Sequence, residues 1–151
     1  MLKKIVIVTF IVITVTQAAF IRDNDKELVK DTEHCLMWQD NRAAKTVKKT
    51  WQDAIDYCEN LEFSGYHDWR LPNFNELYSI SDKSRVNPAI DKNFQNVASS
   101  DYWTSTTVEG VKKYAWRVHF NIAARRQTNK DKSAVFYVRC VRDMQVPQKG
   151  Q

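Results

Sequence analysis

The sequence predicts an α+β domain, and three observations carry that prediction. Two stretches, opening at Thr50 and at Asn73, place a helix cap ahead of apolar residues at helical spacing. Later stretches at 102–106, 114–120 and 134–141 either alternate apolar with polar residues or are rich in strand-forming types. A chain of 151 residues is one domain by length, with room for a sizeable core.

An export signal precedes the domain. Lys3 and Lys4 lead into an apolar run, Ile5 to Val15, broken only by Thr9 and Thr14, and Thr16-Gln17-Ala18 ends in small residues. That order reads as a secretory signal peptide over residues 1–18, cut after Ala18 or Ala19. The run is shorter than the roughly 20 residues of a spanning helix, and an uncleaved anchor is the competing reading. The mature chain then has no membrane span and is expected in the periplasm, on the cell surface or outside the cell. Without Lys3 and Lys4 the 23 basic residues fall to 21 against 18 acidic ones, net +3. That balance admits an anionic partner without demanding one. Residues 19–143 are expected to form the domain and 144–151 a flexible tail.

Within the domain, Ala19–Arg22 and Leu28–Val29 flank the polar turn Asp23-Asn24-Asp25 and predict an N-terminal hairpin. Cys35-Leu36-Met37-Trp38 is a compact apolar strand, and Asn41 to Lys49 a basic polar loop. Thr50 and Asp53 stand at capping-box spacing, and Ala54, Ile55, Cys58 and Leu61 share one helical face. Gly65 is placed to stop that helix. Next comes DWRLPNFNELYSI, Asp68 to Ile80. Trp69 and Leu71 suit an extended segment, Pro72 forbids continuation of a regular element, and Asn73 with Glu76 forms a second capping box. Phe74, Leu77 and Ile80 then make an apolar stripe expected to face the same core as Trp69 and Leu71. Residues 81–100 read as an irregular connection. In the 114–120 strand, Trp116, Val118 and Phe120 take one face and Arg117 and His119 the other; in 134–141, Phe136, Val138 and Cys140 oppose Tyr137, Arg139 and Val141. Gly and Pro number three each, so turns must draw on Asn, Asp and Ser.

Three cysteines in an oxidising compartment leave one unpaired. Cys58 on an inward helix face and Cys140 on an inward strand face favour a Cys58–Cys140 bridge, with Cys35–Cys58 as the rival. The favoured pairing leaves Cys35 as a free, buried thiol.

With these pieces in place the chain resembles a known bacterial family. LMWQD (Leu36–Asp40), TWQDAIDYCENL (Thr50–Leu61), GYHDWRLPNFNELYSI (Gly65–Ile80), YWTSTT (Tyr102–Thr107), YAWRVHF (Tyr114–Phe120) and YVRCVR (Tyr137–Arg142) occur in that order. They look like the domain of unknown function named for the C-terminal domain of a collagen-like surface adhesin. The resemblance implies a fold similar to C-type lectins and to the formylglycine-generating enzyme, two helices flanking a small twisted antiparallel sheet. It also implies a disulfide from helix to last strand, and, in the adhesin, binding of sulfated polysaccharide. Two departures stand out. Cys35 occupies a position usually glycine, and the loop after YAWRVHF, commonly Asn/Gly-rich, is here strongly basic.

That basic segment is the leading candidate for function. Arg125, Arg126, Lys130 and Lys132 lie in it, and Arg117, His119 and Arg139 are expected to face outward on the flanking strands. Guanidinium forks match sulfate and carboxylate geometry, so a polyanionic glycan fits the patch; a solvated hairpin tip is the plainer alternative. Nucleic acid fits poorly with export and the modest charge. Trp38, Trp51, Trp69, Trp103 and Trp116 read as core, while Tyr66 and Tyr102 are free to line a surface groove. His34, His67 and His119 show no ligand spacing, and Asp23, Asp25 and Glu27 read as a turn, so no metal or other cofactor is expected. The Glu-Pro-Asn signature of calcium-dependent lectins is absent. No His base is placed for Ser105 or Cys35, and only Cys140 lies where the formylglycine-generating enzyme needs a cysteine pair, so no catalysis is expected. The reading is a secreted, non-catalytic domain that binds acidic or sulfated glycans. The alternative is a cell-envelope module that binds another protein.

Overall fold

The computed structural model describes residues 19–122, 124–126 and 131–145. The expected signal peptide, Lys130 and most of the expected tail lie outside them. Two sheets rather than one form the domain. The first, order β1-β2-β3-β9, is antiparallel throughout and pairs Phe20–Asp23, Leu28–Asp31, Leu36–Gln39 and Val141–Asp143. The second runs β4-β8-β5-β6-β7, from Lys48–Lys49 and Phe136–Tyr137 to Asp101–Thr107, Ala115–His119 and Ala124–Arg126. It is mixed, because β5 and β8 pair in parallel at Tyr102 and Tyr137.

Strand residues alternate between two cores. Val29, Leu36, Trp38, Tyr102 and Val118 enter one, together with Leu77 and Ile80 of the second helix. Leu28, Met37, Trp103 and Ala115 enter the other, together with Ala54 and Cys58 of the first helix. Adjacent residues of a strand point to opposite faces, so each helix covers a different face. Both faces of the strands are therefore buried, which period-two patterning alone does not reveal.

Helix α1 spans Trp51–Glu59, with the Thr50 hydroxyl accepting from the Asp53 amide and donating to its carboxylate at 2.6 Å. It ends earlier than expected, at Asn60, whose side-chain amide donates to the Asp56 carbonyl. Gly65 serves a different purpose. Ser64 and Gly65 both have positive φ, 56° and 81°, and close a two-residue turn in which Phe63 and Tyr66 exchange backbone hydrogen bonds. Helix α2 spans Phe74–Ser79 behind the complete capping box of Asn73 and Glu76. Trp69 and Leu71 do not join the core of α2: they enter the α1 core, and Pro72 marks the change of side.

The 134–141 stretch is not one strand. It pairs first with β4 and β5 as β8, then crosses to the first sheet as β9. Cys140 lies in the crossing and bonds Cys58, with Cα atoms 5.5 Å apart. The bridge ties positions separated by 82 residues, and loop entropy alone gives such a closure about 4 kcal/mol. Cys35 is exposed, not buried. Its φ of 55° lies in the left-handed region, which explains why glycine suits this position.

Candidate functional site

The structure divides the seven expected binding residues. Arg139, expected to face outward, is fully buried because the face opposite Phe136 and Val138 packs on the other core. Its Nη1 donates to the Asp40 carboxylate at 2.8 Å and to the Gln39 carbonyl at 2.6 Å, and Nη2 donates to the Asn96 carbonyl at 2.6 Å. Asp40, also fully buried, accepts in addition from Arg22 and from the amides of Gln95 and Asn96. This network fastens the irregular 91–98 segment to β3. A buried charge is tolerable only with such pairing.

Arg117 is likewise buried, not outward. It donates to the Asp101 carboxylate at 2.8 Å, and its guanidinium lies 4.6 Å from the centre of the Phe136 ring. His119 is mostly covered and has Nδ1 3.2 Å from the same carboxylate. Tyr102 is also removed from any groove. Fully buried, it donates to the Ala44 carbonyl and accepts from the Ala98 amide, and desolvation pushes its phenol up. Tyr66 is half-buried beneath the Arg142 guanidinium, 3.8 Å from its ring centre. Arg142 in turn grips Asp68 through Nε and Nη2 at 2.6 and 2.9 Å, and that bond holds the Asp68 carboxyl below the usual carboxylate range.

The basic segment is a sheet edge, not a hairpin tip. β7 pairs Arg126 with Arg117, Arg125 with Val118 and Ala124 with His119, and it is the outermost strand of its sheet. Further on in the sequence, Asp131 bridges to Tyr114, the residue before β6. Lys132 comes next, its amide bonded to the Lys113 carbonyl. Its ammonium lies 3.6 Å above the Trp51 ring and donates to the Thr107 hydroxyl at 3.0 Å. Among the described residues it forms no salt bridge. Burial beside that ring lowers its pKa from the ordinary lysine value. An amine desolvated without a counter-charge favours an arriving anion.

A second feature escaped the sequence reading. Trp116 is half-buried, not core, and with Asn73, Phe74, Asn75 and Thr106 it lines a cleft of about 290 Å³ between α2 and the second sheet. Phe74 stands 5.2 Å from Trp116, ring centre to ring centre, and stacks on Tyr78 at 5.7 Å. A neighbouring cleft of about 320 Å³ on the other side of Asn73 and Asn75 is lined by Glu76 and Asp143, both held by Arg70. Period two put Trp116 in phase with Val118 and Phe120, but the strand outruns the core at that end. No group of acidic, His or Cys side chains suited to a metal ion occurs among the described residues, and no described helix is long and apolar enough to cross a membrane.

Residues 27–142 match the family model of the Lcl C-terminal domain. No curated protein matches the chain. The chain belongs to the Lcl C-terminal domain family.

Proposed function

We propose that this Lcl C-terminal domain protein is an exported, non-catalytic, C-type-lectin-like recognition domain that binds acidic or sulfated glycans during surface attachment. The observation that carries the reading is the charge left without a carboxylate at the second sheet's edge. Among the described residues, Lys132 is held over Trp51 with only a neutral hydroxyl as side-chain hydrogen-bond partner. The backbone of β7 places Arg125 and Arg126 on the outermost strand of the second sheet. Arg117 and Arg139 do not contribute, since Asp101 and Asp40 already pair with them, and His119 is mostly covered beside the Asp101 carboxylate. A polyanion laid along β7 would meet the basic residues at intervals, as a repeating sulfate or carboxylate requires. A single intramolecular disulfide with no described spanning helix is compatible with export.

The test is binding of the protein, purified as the cell exports it, to sulfated, carboxylated and neutral polysaccharides at two salt concentrations. Binding to the sulfated members that weakens steeply with salt, and that Arg125→Ala/Arg126→Ala and Lys132→Ala each reduce, is the expected result. Salt-insensitive capture of another envelope protein, with no polysaccharide bound, overturns the reading in favour of a protein-binding module.

A further inference from the structure

We infer that the Trp116 cleft is a second subsite, which receives an uncharged pyranose ring of the same glycan. This rests on the glycan reading and adds a place where the ligand's neutral face is recognised. Three features converge on that chemistry.

The first is the aromatic platform. Trp116, Phe74 and Tyr78 form a continuous set of ring contacts, so the indole is braced from below and keeps its orientation. The negative face of an indole attracts weakly positive C–H groups, and a pyranose presents a row of them on one side. The second is the polar rim. Asn75 is exposed, and its side chain makes no hydrogen bond among the described residues. Asn73 spends Oδ1 on the Glu76 amide and keeps its amide donors, and the Thr106 hydroxyl oxygen accepts from the Phe74 amide and can still donate. Primary amides offer donors and acceptors together, which suits neighbouring sugar hydroxyls. The third is charge. None of the five lining residues ionises, so the cleft gives a sulfate or carboxylate nothing to pair with. A volume of about 290 Å³ is at the small end for a ligand site and suits one ring rather than a peptide.

Position ties the cleft to the edge. Trp116 immediately precedes Arg117, whose strand partner is Arg126 on β7. A glycan chain anchored by its anionic groups along β7 passes the mouth of the cleft and can place an adjacent ring inside it.

The experiment is an NMR titration of the exported protein with a sulfated galactan oligosaccharide and with the same oligosaccharide after desulfation. The expected result is that both shift the Trp116 indole N–H and the Asn75 side-chain amide, while only the sulfated form shifts β7 and Lys132. Asn75→Ala, at an exposed position, is expected to weaken the desulfated ligand about 3- to 10-fold without altering the salt dependence of the sulfated one. Trp116→Ala is expected to weaken it by more than about 10-fold, with Trp116→Phe retaining part of the affinity should the alanine variant unfold. Shifts along β7 and Lys132 with none at Trp116 or Asn75 overturn the cleft and leave the charged edge standing. Shifts at Trp116 and Asn75 with no salt-dependent binding support the cleft and overturn the charged edge. No shift at either place overturns both.

Discussion

Arg139 and Lys132 lie close in the sequence, carry the same charge, and end in opposite surroundings. Arg139 is sealed between the cores with Asp40, two carbonyl acceptors and the Phe94 ring, 5.1 Å from its guanidinium. Lys132 stands between the start of α1 and the end of β5, with an indole and a hydroxyl for company. The difference lies in what each charge is free to do. A buried cation already paired with a carboxylate holds elements together and is out of a ligand's reach. One left without a counter-charge contributes little to folding and keeps its field for a partner.

The comparison can be broken most forcefully at Arg139. Replacing Arg139 by Ala strands the Asp40 side of a buried network and leaves the Gln39 and Asn96 carbonyls without their donor; chemical denaturation should show a loss of about 3–5 kcal/mol. Arg117→Ala should cost less, about 1–3 kcal/mol by the same measurement, because Asp101 lies nearer the surface and keeps His119 at 3.2 Å. Neither variant should alter polysaccharide binding at temperatures where it remains folded.

Asp68 sharpens the contrast through pH. Its folded carboxyl is held low, first by the hydrogen bond from Arg142. The stabilisation is therefore fully present above the unfolded carboxylate value and is lost as pH falls through the lower folded value. Thermal melts of Asp68→Asn should begin to converge with those of the wild type only as pH falls below about 4, and the wild type should be the more stable protein above it. Parallel melting curves down to pH 2 would mean that the Arg142 bond adds nothing to stability. Smallest in stability is Arg125→Ala/Arg126→Ala, expected within about 0.5 kcal/mol of the wild type, as ordinary surface substitutions are. The same variant should flatten the salt dependence of glycan binding. A large destabilisation instead would move the β7 arginines to the structural side of the comparison.

Local signals were legible wherever neighbouring residues supply both halves of an interaction. The Thr50 cap, the Asn73–Glu76 capping box and the N-terminal hairpin all formed where their spacing placed them. The Cys58–Cys140 pairing followed from two independent periodicities and the implied family pattern. Alternation also identified the right strand residues, but it cannot say what lies beyond each face. The polar phase of β6 and of the 134–141 stretch was expected to meet water and instead met a second core, so Arg117 and Arg139 left the surface, as did Tyr102 of β5. Trp116 made the reverse move, from expected core to cleft wall.

The α+β class, both capped helices and the family motifs were all contained in the order of the residues, because caps and periodicity act within a few positions of the chain. Which cations remain unpaired was decided only by the tertiary structure. Asp40 reaches Arg139, and Asp101 reaches Arg117, across separations that no local pattern encodes. Lys132 is one of the cations that those pairings leave without a salt bridge among the described residues.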